Sequence, residues 1–358
     1  MKKILIIGTG FYSLGYDEIL GICYSSILQW SKENNENDIL ITFLIRKNTK
    51  KKVRHILSRK RKNELFFNHK LKVKIAIEEN INFKEYSSAF LILPEKYHFY
   101  YSKMLIKNNV PIFAVKPFCF SLKENKKMLS LSKKNKTHIY IDYHKRYDLE
   151  NRFIGDCIKK DKSNSYQIII NYSQNIKMME IFNKWINTSN PFQYLGPHYL
   201  DLLNIWFKPK ILQIQSFSSN YVSKKLKLKT SDLVSVNMKL KSGTKTIIVN
   251  INTNWIENIN YPMRSRQNIE VISENLHINS DQGYRGLDFV NKKNIFEIRN
   301  NNFTFYNNKT LSGYGYLSFK AFLDKIYFNK DNKLLPSIEQ NFFCSNVLDI
   351  VRKQLNEN

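Results

Sequence analysis

Short apolar runs alternate with helical stretches through the first third of the chain. Ile4–Ile7 is an uninterrupted apolar run and reads as a buried strand. Helical periodicity covers about Leu14 to Lys32, Ile39–Ile45 reads as a second strand, and a basic helical stretch spans about Val53 to Phe67. Val73–Ile77, Ala89–Leu93, Pro111–Val115 and His138–Tyr143 are further strands, with helices over Tyr97–Lys107 and Leu122–Lys134. Continuous apolar strands separated by helices predict a parallel sheet covered on both faces.

The pattern changes after about residue 145. Strand-like runs now follow one another with only turns between them: Tyr166–Tyr172, Leu212–Phe217, Val234–Leu240, Thr246–Ile251, Ile269–Ser273, Ile295–Ile298 and Phe303–Tyr306. Val234–Leu240 alternates apolar with polar, the signature of an antiparallel sheet with one wet face. One helix interrupts at Tyr194–Trp206, and two close the chain, at Leu317–Phe328 and Ile338–Leu355. The expected architecture is an α/β Rossmann domain over 1–145, followed over 146–358 by an α+β domain with an open, mainly antiparallel sheet and C-terminal helices.

Bulk composition agrees with two domains. The chain has 358 residues, 42% of them apolar and 14% aromatic, enough to bury large cores and to exclude disorder. The net charge of +27 raises the question of a polyanion partner. The lysines are scattered, however, and are densest only at Lys50-Lys51-Lys52 and Arg59-Lys60-Arg61-Lys62. That distribution fits a solvated surface, or attraction of an anionic cofactor or substrate, better than a nucleic-acid stripe. The four cysteines (Cys23, Cys119, Cys157, Cys344) show no C-x-x-C spacing, so no zinc or redox motif is indicated and a reducing compartment is expected. The apolar run after Met1-Lys2-Lys3 is too short for a signal peptide, and no segment approaches the ~20 apolar residues of a membrane span. A cytoplasmic protein without nucleic-acid or membrane partners is expected.

The turn after the first strand reads Gly8-Thr9-Gly10-Phe11-Tyr12-Ser13, the dinucleotide fingerprint G-x-G-x-x-G with serine in the third glycine's place. Gly8 permits the tight turn, and Gly10 lets the backbone approach a pyrophosphate on the next helix's positive end. Its place after a strand and before a helix is the context the motif needs; a glycine turn without a ligand is the plain alternative. The second strand ends in Arg46-Lys47 rather than an acid, which favours the 2′-phosphate of NADP over the ribose hydroxyls of NAD. The spacing from Gly10 to Arg46 exceeds the usual ~20 residues, so the first crossover carries an insertion.

Lys116 sits where the fifth strand stops, and Pro117 directs it away from helical backbone. Ligands bind beyond the carboxyl ends of such strands. Its apolar neighbours suit it to proton transfer or to polarising a hydroxyl. In Tyr194-Leu-Gly-Pro-His198-Tyr-Leu-Asp201, helical spacing places Tyr194 beside His198 and Asp201 within reach of the imidazole. Histidine is the usual proton carrier near neutral pH. On these residues alone, a helix-capping turn with a satisfied histidine remains the plain reading.

Taken in order, the glycine turn, Leu93-Pro94 with His98, Ala114-Val115-Lys116-Pro117, His144-Lys145-Arg146-Tyr147 and Gly196-Pro197-His198 resemble one family. It is the Gfo/Idh/MocA oxidoreductases, the group of glucose–fructose oxidoreductase and inositol dehydrogenase. The likeness covers nearly the whole chain and extends to Asn254-Trp255 and Asp281–Gly286. The resemblance implies a substrate-binding, catalysis-assisting lysine at Lys116 and a catalytic histidine at His198. It implies cofactor-binding positions at Leu93, Pro94, His98 and Lys116, and a substrate-binding arginine, in the turn leading into the second domain, at Arg146. It also implies a homodimer or homotetramer, paired through the open sheet. Val115 replaces the family's glutamate before the lysine, Leu93 its threonine before Pro94, and Tyr194 an aspartate four residues before the histidine. A phenol at 194 can hydrogen-bond a substrate hydroxyl and take part in acid–base chemistry. The activity implied is hydride transfer between NADP or NAD and a sugar, cyclitol or sugar nucleotide. A non-catalytic dinucleotide-binding sensor of the same fold and a polyanion-binding protein are the competing readings.

Overall fold

Six strands, β1 (Lys2–Ile7), β2 (Ile39–Ile45), β3 (Lys72–Ile77), β4 (Ser88–Leu91), β5 (Ile112–Val115) and β6 (Ile139–Asp142), form one parallel sheet in the order β3-β2-β1-β4-β5-β6. Ile4, Leu5 and Ile6 of β1 are fully buried, as the apolar run requires of a central strand. Helices α1 (Ile22–Glu33), α2 (Lys50–Arg59), α3 (His98–Lys107) and α4 (Leu122–Lys134) make the crossovers. The strand order reverses between β1 and β4, where Ile7 pairs with Leu91 on one side and Leu44 on the other. The crevice beyond those carboxyl ends is the ligand position in open parallel sheets.

The computed structural model describes residues 1–16, 19–60, 71–183, 185–261, 265–283, 287–290, 295–298, 304–306 and 310–355. The end of the basic stretch expected to run to Phe67, the second half of the Arg59–Lys62 cluster, Phe303 and the end of Asp281–Gly286 lie outside the described residues.

Two compact units emerge: Met1–Cys119, Lys123–Tyr147 and Asn300–Asn341 in the first; Phe120–Leu122, Asp148–Arg299 and Phe342–Asn358 in the second. The sequence pattern assigns everything after 145 to one domain, whereas the helix Tyr314–Phe328 packs within the first unit. Its Phe319 and Phe322 are fully buried, 5.0 Å from Phe113 and 5.1 Å from Phe90 between ring centroids. Burying each such ring is worth ~1.5–3 kcal/mol. Trp30 of α1 donates from Nε1 to Asp324 at 2.7 Å. The helix has two apolar sides, and which sheet it covers is not encoded in its own periodicity.

The second unit holds α5 (Leu149–Lys160), β7 (Ser165–Asn175), α6 (Pro197–Phe207), β8 (Lys210–Ser219), β9 (Leu233–Ser242), β10 (Lys245–Glu257), β11 (Ser265–Ser273) and β12 (His277–Asp281). Its sheet runs β8-β9-β10-β7-β11-β12, antiparallel except for β7 against β10. Val234, Val236, Met238 and Leu240 are buried, while the alternating Ser235, Asn237 and Lys239 face outward. The outward positions carry an amide ladder, in which Asn250 bonds Asn237 and Asn252 bonds Asn171. The helix Phe342–Gln354 packs on α6 and β8. Among the described residues no helix is long and apolar enough to cross a membrane, and no His/Cys/Asp/Glu group is arranged to hold a metal.

Candidate functional site

Gly8 has φ +113°, and a Cβ there would stand 1.9 Å from the Ile92 carbonyl oxygen. Only glycine lets the end of β1 pass that close to the strand beside it. Gly10 is different: a Cβ on it would meet nothing within 4 Å, so its backbone faces open space. Ser13 is fully buried, and its Oγ donates to the Gly8 carbonyl at 2.7 Å, tying the turn back onto the strand.

The fingerprint does not open directly into a helix as its pattern suggests. The chain first forms a two-stranded hairpin, Gly15–Tyr16 with Ile19–Leu20, and α1 starts only at Ile22. That hairpin is the expected insertion in the first crossover. The close-packing role of the third glycine passes to Gly21, where a Cβ would fall 2.4 Å from the Ser13 carbonyl oxygen. Two first-turn amides of α1 are bonded within the loop, Cys23 N–H to the Tyr12 carbonyl (3.0 Å) and Tyr24 N–H to the Ser13 carbonyl (3.1 Å). Those two donors are committed to the protein, which corrects the expectation of a bare helix end for a pyrophosphate.

Beyond β1, β2 and β4 lies a cleft of about 430 Å³, within the usual ~300–1,000 Å³ of ligand pockets. Gly8, Thr9, Arg46, Leu93 and Pro94 line it together with Thr49, Glu78, Tyr97, Tyr100 and Tyr101. Arg46 donates to the Tyr97 hydroxyl at 3.2 Å and stacks over its ring at 5.7 Å. That bond from Arg46 holds the Tyr97 phenol below its ordinary pKa. Lys47 is exposed on the following 3₁₀ turn and is not part of the lining. Phe11 packs on Tyr16 at 5.2 Å. Glu78 and the three tyrosines escape motif reading, although Tyr97, Tyr100 and Tyr101 fall at helical i, i+3, i+4 positions just after Pro94.

His98 is fully buried. Its Nδ1 lies 3.1 Å from the Phe118 carbonyl oxygen and its Nε2 2.9 Å from that of Leu93, so the ring joins the Leu93-Pro94 turn to the segment after Lys116. Burial pushes its pKa down to about 4, against the pull of those carbonyls. The unfolded chain then binds the extra proton first. Stability is present above the ordinary histidine pKa of ~6.5 and is lost as pH falls through 6.5 toward 4, by on the order of 3 kcal/mol. Urea unfolding at pH 7 and pH 4.5 should show the wild type losing more stability than His98→Gln. Equal losses in the two proteins would sink this assignment.

Lys116 is half-buried directly after β5, and the Lys116–Pro117 peptide is cis. At the end of β6 a polar knot ties the glycine turn down: Tyr12 donates to Asp142 at 2.8 Å, Ser318 donates to its other oxygen at 2.8 Å, and His144 Nδ1 lies 3.3 Å from that second oxygen. Arg146 is 2% exposed and donates to Gln340 at 2.7 Å, an interior position for a residue expected to meet substrate.

In the second unit, His198 and Asp201 are buried in the first turns of α6. Tyr194 belongs to a separate short helix, Pro191–Leu195, which meets α6 at Gly196 because Pro197 has no amide to continue the ladder. The Tyr194 ring is half-buried in an aromatic cluster, 4.9 Å from Phe182, 5.4 Å from Trp185 and 6.2 Å from Trp255. The cluster continues into buried Met179, Ile186 and Leu195, so the Tyr194 ring packs against the hydrophobic core of this unit.

No protein-family model and no curated protein matches the sequence. Solved structures do match in fold. A myo-inositol 2-dehydrogenase from Lactobacillus plantarum superposes with TM-score 0.71 at 11% identity, over 99% of this chain and 97% of that one. A scyllo-inositol dehydrogenase from Lactobacillus casei with bound NAD(H) and scyllo-inositol gives 0.68 at 13%, over 99% and 96%. A UDP-N-acetylglucosamine 3-dehydrogenase from Acidithiobacillus ferrooxidans gives 0.65 at 11%, over 98% and 97%. The structural neighbours are thus inositol dehydrogenases and related Gfo/Idh/MocA-like oxidoreductases, and the likeness spans both units.

Proposed function

We propose that the protein is a nicotinamide-dependent oxidoreductase acting on a sugar, cyclitol or sugar nucleotide, with NADP preferred over NAD. The observation that carries this reading is the crevice at the switch point of the parallel sheet, with an open backbone at Gly10 and a cleft walled by Arg46. Those features fit a dinucleotide: Gly8, Thr9, Gly10, Phe11 and Tyr12 hold the pyrophosphate, Leu93 and Pro94 line the cofactor, and Arg46 takes the 2′-phosphate. Bound nicotinamide supplies the hydride exchange. His198 takes the proton of the substrate hydroxyl on oxidation and returns it on reduction. Lys116 serves as a substrate-binding, polarising lysine, and Tyr194 hydrogen-bonds a substrate hydroxyl. Arg146, buried and bonded to Gln340, is a positioning residue of the turn after β6 rather than a group that touches substrate. The assembly is a homodimer or homotetramer, which light scattering would measure, and the working compartment is the cytoplasm.

Fluorescence titration with NADPH and NADH tests the cofactor half. NADPH should bind more tightly, and Arg46→Ala should weaken it about 10- to 100-fold, the worth of one charge-assisted contact, with NADH little changed. Binding of neither dinucleotide would sink the reading. A second reading, a dinucleotide-binding sensor without turnover, draws on Val115 and on Tyr194 lying in an aromatic cluster. Tight cofactor binding with no turnover across a broad panel of sugars, cyclitols and sugar nucleotides would select it.

A further inference from the structure

We infer that Glu78 reads the base of the bound dinucleotide, its carboxylate accepting a hydrogen bond from the exocyclic amino group of adenine while Tyr101 holds it in place. The inference rests on the dinucleotide reading above and assigns the far end of the same cleft.

Glu78 is the first residue after β3, and Tyr101 lies on the first turn of α3, which follows β4. Both line the cleft. The Tyr101 hydroxyl donates to Glu78 Oε2 at 3.0 Å. In the sheet, β2 and β1 lie between β3 and β4, so this bond spans the carboxyl ends of two strands and bounds the cleft on its outer side. Tyr100 packs edge-on against Tyr101 at 5.0 Å, giving an aromatic wall suited to a flat base.

The charge is what needs explaining. A dinucleotide is an anion, and this chain carries +27. A carboxylate in the cleft opposes the ligand unless it meets a donor. Tyr101, and Tyr100 beside it, use at most two of the roughly four acceptor positions of the carboxylate, leaving others to be filled. Arg46 and Tyr97 form their own pair in the same lining, on the β2 side where a ribose phosphate is expected. Besides its ribose hydroxyls, the strong donor of an adenine nucleotide is the amino group of the base, which lies farthest from the phosphates. Tyr100 and Tyr101 stay protonated as neutral donors: the Glu78 charge raises Tyr100, and burial followed by the Glu78 bond raises Tyr101.

The test is a titration of the whole protein with NADPH and with its hypoxanthine analogue, in which an oxo group replaces the amino group. The wild type should bind the analogue about tenfold more weakly or worse, the loss expected when a charged acceptor meets no donor. Glu78→Gln, whose amide can face either group, should close most of that gap, and Tyr101→Phe should narrow it. Equal binding of the two ligands by the wild type overturns the inference while leaving the dinucleotide reading intact. So does a gap that persists unchanged in Glu78→Gln with an unaltered melting temperature. A wild-type preference for NADH that Glu78→Gln abolishes would assign the carboxylate to the ribose hydroxyls and overturn it as well. Binding of neither ligand removes the dinucleotide reading and this inference together.

Discussion

Lys116→Met should lower kcat by about 10²- to 10⁴-fold, the usual worth of a positioned proton-transfer or polarising group, with little change in melting temperature. Lys116 follows the last residue of β5 and is half-buried, between half-buried Val115 and buried Pro117. Methionine keeps the unbranched apolar stem that fills this position and removes only the ammonium. The fold should therefore survive and the chemistry should not. With a substrate in hand from a panel of sugars, cyclitols and sugar nucleotides, steady-state kinetics and a melting curve read the two effects separately. His198→Ala should give a loss of similar size. Normal turnover in both variants would remove the enzymatic assignment. A loss of turnover matched by a large fall in melting temperature would make Lys116 a structural residue.

Gly8→Ala should be among the most damaging single substitutions in the first unit. A side chain at φ +113° costs about 1–3 kcal/mol in backbone strain alone. The added Cβ would also sit 1.9 Å from the Ile92 carbonyl oxygen, which belongs to backbone that cannot swing aside. Either β1 separates from the end of β4 or the turn rebuilds, and in both cases Ser13 loses its bond to the Gly8 carbonyl. The melting temperature should fall by roughly 10 °C or the protein should fail to accumulate, and NADPH affinity should fall with it. Gly10→Ala is the control, since a Cβ there meets nothing within 4 Å. It should leave the melting temperature near that of the wild type and act on dinucleotide binding alone. A Gly8→Ala protein with wild-type stability and affinity would show that the turn tolerates a side chain after all.

Parts of the candidate site were legible because they depend on local chain chemistry. Gly8 is readable from its place between a buried strand and a turn, and Arg46 from its place at the end of β2. The cleft partners were not legible. Arg46 meets Tyr97 across 51 positions, and Glu78 meets Tyr101 across 23, each joining loops that follow different strands. His98 is present in the motif, but only the fold reveals that both ring nitrogens face backbone carbonyls and that the residue ties loops together. The delayed start of α1 was hidden for a related reason. Residues from Leu14 onward have helical spacing, yet Gly15 at φ +88° and Gly21 packed against Ser13 make a hairpin the better local solution.

Read alone, the sequence determines the class of each half of this protein. Continuous apolar strands between helices require a sheet buried on both faces, and alternating strands such as Val234–Leu240 require one wet face. Both follow from periodicity, which is a property of neighbours in the chain. Tertiary structure decided which surfaces those elements cover. Phe319 and Phe322 bury themselves against Phe90 and Phe113, and Trp30 reaches Asp324 across 294 positions. That places the helix Tyr314–Phe328 in the first unit, although the strand pattern had turned antiparallel long before it. An apolar face specifies that it must be buried, but hydrophobic burial is non-directional and names no partner. The partner is selected by shape and by hydrogen bonds that exist only once distant segments have been brought together.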